Sequence, residues 1–96
     1  MKSMNDRNAQ FYFRNLGADV MRCARAAQAG DEKRYDDSFV LAQKTLAYLR
    51  TMRSPEAYEE GLLLLRALFY ARKDGTLDVF SQRLNSIIAA GASFAR

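Results

Sequence analysis

Apolar residues recur every three or four positions along almost the whole chain, and three short polar turns interrupt that rhythm. The turns are Gly30-Asp31, Ser54-Pro55-Glu56 and Asp74-Gly75-Thr76. Steps of three and four are the period of an amphipathic α-helix. The pattern therefore predicts four helices, over about residues 6–29, 31–53, 55–73 and 77–94.

Local signals at the first turn predict how the first two helices begin and end. Ser3 or Asn5 can accept the unpaired backbone N–H groups at the start of the first helix. Gly30 supplies the left-handed conformation that commonly ends a helix. Asp31 follows directly and is a favourable N-cap for the second helix.

The second turn carries the clearest local signal in the chain. Ser54 is a good N-cap, and Pro55 suits the first helical position because its missing N–H would be unpaired there anyway. Glu56 complements the positive end of the helix dipole. Gly75 ends the third helix, and Thr76 is the expected cap of the fourth.

One face of each helix is expected to enter a common core. The expected core residues are Ala9, Phe13, Leu16, Val20, Cys23, Ala24 and Ala27 in the first helix, Tyr35, Phe39, Ala42, Leu46 and Leu49 in the second, Tyr58, Leu62, Leu65 and Phe69 in the third, flanked there by Ala57, Leu64, Leu68 and Ala71, and Leu77, Phe80, Leu84, Ile87, Ile88, Gly91 and Phe94 in the fourth.

The short turns predict how the helices are arranged. Long helices joined by a few residues run antiparallel to their neighbours, so the predicted fold is all-α, an up-down-up-down four-helix bundle. Residues 1–96 fit one domain. The alternative is a pair of helical hairpins that are completed or exchanged across a dimer.

Composition favours a protein of the cytoplasm. The longest apolar run, Leu62 to Leu65, ends at Arg66 and is far shorter than a membrane span. The first six residues lack the apolar segment of a secretory signal. A single cysteine, Cys23, cannot form an internal disulfide, which agrees with a reducing compartment.

The absence of histidine argues against enzymatic function. Histidine is the usual acid–base group near neutral pH and the usual partner of a serine or cysteine nucleophile, and the chain has none. Cys23 lies on the predicted core face, where a small apolar residue is expected. The glutamates Glu56, Glu59 and Glu60 are expected to face water. The sequence thus predicts no catalytic residues, no metal site and no cofactor.

Two predicted helices carry more apolar surface than one core requires. On the second helix, Leu41, Tyr48 and Met52 form a stripe separate from the core residues, and on the third, Leu63 and Tyr70 also point away from it. Either these wide faces contact both neighbours within one bundle, or they bind another molecule. We expect them to bind a partner helix or a second copy of the chain.

The first helix carries the main basic feature. Residues 1–30 hold five Lys or Arg against two Asp, and the chain as a whole has a net charge of +4. The face opposite the core presents Arg7, Phe11, Arg14, Arg22 and Arg25. Arginine binds phosphates and an aromatic ring stacks on bases, so this strip is a candidate site for an anion or nucleic acid. A helix face that contacts only water has a similar composition, so the strip is also compatible with no ligand.

A short stretch of the chain resembles a known family. Ala-Ala-Gln-Ala-Gly-Asp (26–31) leads into a helix containing Ala-Gln-Lys-Thr-Leu (42–46), an order loosely similar to that of small helical flagellar-export chaperones. The similarity covers the first two helices only and identifies no family. We expect a non-enzymatic protein-interaction module, either an adaptor, a chaperone-like protein or a regulator, that binds a protein partner or forms a homodimer. The alternative is a nucleic-acid-associated accessory protein.

Overall fold

The fold is described here by a computed structural model that covers residues 8–92, with side chains as far as Ile88. This part of the chain is helical and contains no strand. The helices are α1 (Ala9–Gln28), α2 (Glu32–Arg50), α3 (Pro55–Asp74) and α4 (Leu77–Ala92). The prediction of four helices in an all-α fold is confirmed.

The predicted roles of Gly30, Gly75 and Asp31 at the first and third turns are confirmed. Gly30 and Gly75 have φ angles of 72° and 73°, in the left-handed region that a residue without Cβ adopts at little cost. Asp31 Oδ1 accepts a hydrogen bond from the backbone N–H of Arg34 at 3.0 Å. This bond caps α2. Helix α3 begins with Pro55 in its first turn as predicted, but the Ser54 side chain makes no capping hydrogen bond.

Two predicted helix ends are wrong. The N-cap of α1 is Asn8, whose Oδ1 accepts from the backbone N–H of Phe11 at 2.9 Å, and not Ser3 or Asn5, which lie outside the described residues. The start expected at residue 6 and the end expected at residue 94 also lie outside them. The second helix ends at Arg50 instead of residue 53.

The early end of α2 has a local cause. A proline disfavours helical conformation in the residue before it, so the chain must leave the helix ahead of Pro55. Ser54 accordingly lies outside the helical region, with φ −147° and ψ 77°. The backbone N–H groups of Thr51 and Met52 turn back to the carbonyls of Tyr48 and Leu49, both at 3.0 Å, which closes the last turn of α2.

Helix α1 organises the core. It approaches each of the other three helices closely, whereas within residues 8–92 no Cα atom of α2 lies within 8 Å of one in α4. All four helices contribute to a single buried cluster, which contains Ala9, Phe13, Leu16, Val20, Cys23, Ala24, Ala26, Tyr35, Ala42, Leu46, Leu49, Ala57, Leu64, Leu65, Leu68, Ala71, Phe80 and Leu84. The predicted core faces of α1 and α2 are largely confirmed.

Two glycines allow helices to approach closely. A Cβ at Gly61 in α3 would lie 2.8 Å from Leu46 Cδ1 and 2.9 Å from Leu16 Cδ2, side chains of α2 and α1. A Cβ at Gly17 in α1 would lie 2.6 Å from Ile88 Cγ1 in α4. Gly61 therefore marks the place where three helices meet.

The predicted core face of α3 is shifted from the observed one. The buried residues of this helix are Ala57, Gly61, Leu64, Leu65, Leu68 and Ala71. Leu62 and Phe69, which were expected in the core, are exposed. Because α3 is apolar around most of its circumference, the period alone does not select a face. The face with small side chains packs inward, since it permits the close contact at Gly61.

A polar contact joins α2 to α3. Arg72 Nη2 donates to both carboxylate oxygens of Glu32, at 2.6 and 2.7 Å. The Arg72 guanidinium also lies over the ring of Tyr35, 3.9 Å from its centroid. The hydrogen bond from Arg72 to Glu32 raises the pKa of Arg72, and burial raises the pKa of Tyr35. Both shifts favour the protonated form of the group concerned.

Candidate interaction surfaces

The outer face of α3 carries four large exposed apolar residues. Its centre line is charged and repeats every seven residues, with Glu59, Arg66 and Lys73, all three of which are exposed. On one side of the line lie Leu62 and Phe69, 40% and 57% exposed, and on the other lie Leu63 and Tyr70, each 51% exposed. We call these four apolar residues the α3 patch.

A hollow on this face has the form of a knobs-into-holes socket. It has a volume of about 310 Å³ and is lined by Glu59, Leu62, Leu63 and Arg66. These residues are spaced i, i+3, i+4 and i+7, the set of four that surrounds an inserted side chain when two helices pack in a coiled coil. The Phe69 and Tyr70 rings project beside it in an edge-to-face pair, with centroids 5.5 Å apart.

The hollow surface continues from α3 onto α4. A second hollow of about 230 Å³ is lined by Glu60, Leu63, Leu64, Ala67 and Ile87. A third, of about 350 Å³, is lined by residues that include Tyr70, Val79 and Arg83. The α3 patch therefore borders a furrow instead of a flat helix surface.

The predicted apolar residues of α2 lie on a different surface. Leu41 is 49% exposed and Tyr48 is 56% exposed. The Tyr48 ring stacks on Tyr12 of α1, with centroids 5.2 Å apart, and Tyr12 in turn meets Phe11 edge to face. The structure thus joins Phe11, assigned from the sequence to the arginine strip, to Tyr48. Tyr12 was not among the residues predicted for either surface.

Met52 departs from the prediction. It follows the end of α2 and does not lie on that helix. Its side chain is half-buried and packs against the core cluster instead of an outer face. The prediction failed because it extended the helical period of α2 past Arg50.

The arginine strip on α1 is exposed but not uniform. Arg14, Arg22 and Arg25 face solvent, and Arg7 lies outside the described residues. Arg22 Nη1 donates to Asp19 Oδ1 at 2.8 Å, and the second oxygen of this buried carboxylate accepts from Thr45 of α2 at 3.1 Å. One arginine of the strip is therefore held in place by a carboxylate.

Cys23 has the surroundings of a core residue. Its side chain is fully buried, and its thiol points to the backbone carbonyl of Tyr35 at 3.9 Å. Burial, with a smaller contribution from the charge of Asp19, raises the pKa of the Cys23 thiol to about 11. A buried neutral thiol is a poor nucleophile, because the thiolate is the reactive form.

We expect alkaline pH to destabilise the fold through Cys23. A pKa that folding raises from 9.0 to about 11 stabilises the folded state fully below pH 9, and this contribution is lost as pH rises toward 11. The free energy of unfolding should therefore fall over that window, and less so in Cys23→Ala. Iodoacetamide should label the folded chain at pH 9 at least about tenfold more slowly than the urea-unfolded chain. Equal labelling rates would show that the thiol is accessible.

The described residues were also compared with the requirements of a membrane-spanning helix and of a metal site. None of the helices in residues 8–92 is long and apolar enough to cross a membrane. Over the same residues, no group of three or more acidic or cysteine side chains converges as metal ligands.

Comparison of the chain with protein-family models, with curated proteins and with solved structures gives no match.

Proposed function

We propose that this chain is a non-enzymatic protein-interaction module that pairs with a second copy of itself through the α3 patch. The observation that carries the proposal is the exposure of four large apolar residues on one helix, around a socket of about 310 Å³. A helix with large apolar residues on a second face, besides the one that enters the core, commonly contacts a partner there. In the single chain, α3 is buried on one side only.

The exposed area favours a partner over a solvated surface. A fully buried Phe or Tyr removes about 150–250 Å² from water, so the exposed halves of Phe69 and Tyr70 amount to roughly 100 Å² each. Leu62 and Leu63 add to the same contiguous surface. Apolar patches of a few hundred Å² on soluble proteins commonly mark interaction sites.

The order of residues on this face favours a second copy as the partner. Arg66 is the midpoint of the face: Leu62 and Tyr70 lie four residues to either side of it, and Leu63 and Phe69 lie three to either side. Glu59 and Lys73 lie seven residues away and carry opposite charges. A face of this kind complements itself when two copies pack antiparallel about a twofold axis at Arg66.

This pairing satisfies both shape and charge. Phe69 and Tyr70 of each copy come level with Leu62 and Leu63 of the other, where the socket lies. Glu59 of each copy comes level with Lys73 of the other, which gives two ion pairs per dimer. At the axis, Arg66 of one copy meets Arg66 of the other, and this like-charge contact limits the affinity of the dimer. A parallel arrangement in register would instead place Glu59 beside Glu59.

The surface around Tyr48 is a weaker candidate for the interface. The Tyr48 ring already has a stacking partner in Tyr12. The hollow beside it, of about 350 Å³, is lined by Lys44, Ala47, Tyr48 and Thr51, of which only Tyr48 is a large apolar residue. A role for Leu41 and Tyr48 in binding a further partner stays a prediction.

The proposal also covers the arrangement of the four helices and the cellular compartment of the protein. An up-down-up-down antiparallel bundle formed as one domain is supported by the short turns and by the contacts of α1 with the three other helices. A reducing compartment such as the cytoplasm is supported by the single, buried cysteine.

Charge exchange between positions 59 and 73 tests this dimer. Glu59→Lys alone should weaken self-association roughly tenfold, because two ion pairs become two like-charge contacts of about 0.5 kcal/mol or more each. Lys73→Glu alone should do the same. The double variant should recover most of the affinity, since the lysine introduced at position 59 then meets the glutamate introduced at position 73 of the second copy. Analytical ultracentrifugation measures all four dissociation constants.

The matched control is Lys44→Glu, an exposed charge change on α2 that should leave the dissociation constant unchanged. Circular dichroism checks the helix content, because the exchanged charges oppose the dipole of α3. Failure of the double variant to recover affinity would contradict antiparallel pairing. A wild-type chain that stays monomeric would contradict self-association as a whole.

A further inference from the structure

A basic cavity lies between α1 and α2, away from the α3 patch. Its volume is about 430 Å³, and it is lined by Arg22, Arg25, Arg34 and Ser38. Two of the arginines belong to the strip predicted on α1, whereas Arg34 comes from the first turns of α2. Packing of the two helices therefore brings three arginine residues to the wall of one concave site.

A buried carboxylate holds one of these arginines at the cavity. Asp19 is largely buried, and its Oδ1 accepts from Arg22 Nη1 at 2.8 Å. Its Oδ2 accepts from the Thr45 hydroxyl at 3.1 Å, which ties α1 to α2 at this point. The Arg22 side chain remains 61% exposed, so its other N–H groups can still donate to a ligand.

The remaining charges leave the cavity positive. The Arg25 guanidinium has no carboxylate partner in residues 8–92, and Arg34 Nε lies 4.0 Å from Asp31 Oδ2, at the outer limit of an ion pair. Asp31 also caps α2. With Asp19 and Asp31 set against three arginines, one net positive charge remains.

Two of the three carboxylates within α2, Asp37 and Glu32, are already paired. Asp37 Oδ2 accepts from Lys33 Nζ at 2.9 Å, and Glu32 binds Arg72 of α3. These contacts reduce the competition for Arg25 and Arg34.

We propose that this cavity binds a phosphate dianion, either free or as the terminal group of a small organic phosphate. The planar guanidinium offers parallel N–H donors that match phosphate oxygens, and three arginine side chains line this cavity. Ser38 adds a hydroxyl at the cavity wall. The volume lies in the range of small-molecule sites, which leaves room for an organic group beside the phosphate.

Titration with inorganic phosphate and with phenyl phosphate tests the site at low ionic strength. Chemical shifts of the arginine Nε–H groups should move saturably with a dissociation constant of about 1 mM or tighter, as several charge-assisted hydrogen bonds imply. Arg25→Gln and Arg34→Gln should each weaken binding roughly tenfold. Tighter binding of phenyl phosphate would identify an organic phosphate as the ligand class, and equal binding would identify phosphate itself.

Arg14→Gln is the matched control, because Arg14 is exposed on α1 but does not line the cavity. It should leave phosphate binding unchanged. Shifts that fail to saturate by about 10 mM, or an equal loss in Arg14→Gln, would overturn the proposal. A labelled single-stranded oligonucleotide that binds more tightly than phenyl phosphate and depends equally on Arg14 would overturn it in favour of an extended nucleic-acid strip.

Discussion

Phe69→Glu should convert the dimer into a monomer at every practical concentration. Each copy loses about 100 Å² of buried aromatic surface, worth roughly 2 kcal/mol, and the twofold axis doubles this loss. A loss of about 4 kcal/mol raises the dissociation constant roughly a thousandfold. The introduced carboxylate would in addition lie level with Leu62 and Leu63 of the second copy. Light scattering coupled to gel filtration should give the monomer mass of 10.9 kDa.

The fold should survive this substitution, because Phe69 lies outside the core cluster. Val40→Glu is the matched control: Val40 is 48% exposed on α2, close to the value for Phe69, but lies outside the α3 patch. It should leave the dimer intact. Loss of the dimer in Val40→Glu but not in Phe69→Glu would place the interface on α2.

Gly61→Leu should destabilise the fold by about 3 kcal/mol, near the upper end of the usual cost of overpacking a core. Even a Cβ at this position would lie within 3 Å of Leu46 and Leu16. Three further carbon atoms would force α1, α2 and α3 apart. Urea denaturation followed by circular dichroism measures the loss.

Gly61→Ala is the comparison that isolates the steric effect. The atoms that its Cβ meets are the ends of flexible leucine side chains, and alanine favours a helix interior by about 0.5–1 kcal/mol over glycine. The two effects should nearly cancel, so this variant should unfold within about 1 kcal/mol of the wild type. A Gly61→Leu variant as stable as Gly61→Ala would show that the helices do not meet closely at this point.

The helices could be predicted because their signals are local. Glycine in the left-handed conformation at positions 30 and 75 and the cap formed by Asp31 depend on the nearest few residues. The ends at Asn8 and Arg50 were harder to predict, since several residues near each end can cap or continue a helix.

The core face of α3 could not be predicted from period alone. Leu62, Phe69, Leu64 and Leu68 are all strongly apolar, and each set has helical spacing. The choice between them depends on Gly61, which admits two other helices and whose effect appears only in the packed structure. For the same reason, only half of the α3 patch was predicted from the sequence. Leu63 and Tyr70 were expected to point away from the core, whereas Leu62 and Phe69 were assigned to it.

The basic cavity also depends on packing. Arg22 and Arg25 share a helix face that the sequence reveals, but Arg34 joins them only through the contact of α2 with α1. Asp19 is largely buried, and its hydrogen bonds with Arg22 and with Thr45 of α2 offset the cost of removing its carboxylate from water.

Sedimentation equilibrium of the wild-type chain, from about 1 µM to about 1 mM, tests self-pairing through α3 most directly. The mass should rise with concentration from 10.9 kDa to a plateau at twice that value, because a twofold interface closes with two copies. A constant mass of 10.9 kDa over the whole range would contradict the proposed dimer, and a mass that rises past the dimer without a plateau would contradict its twofold symmetry.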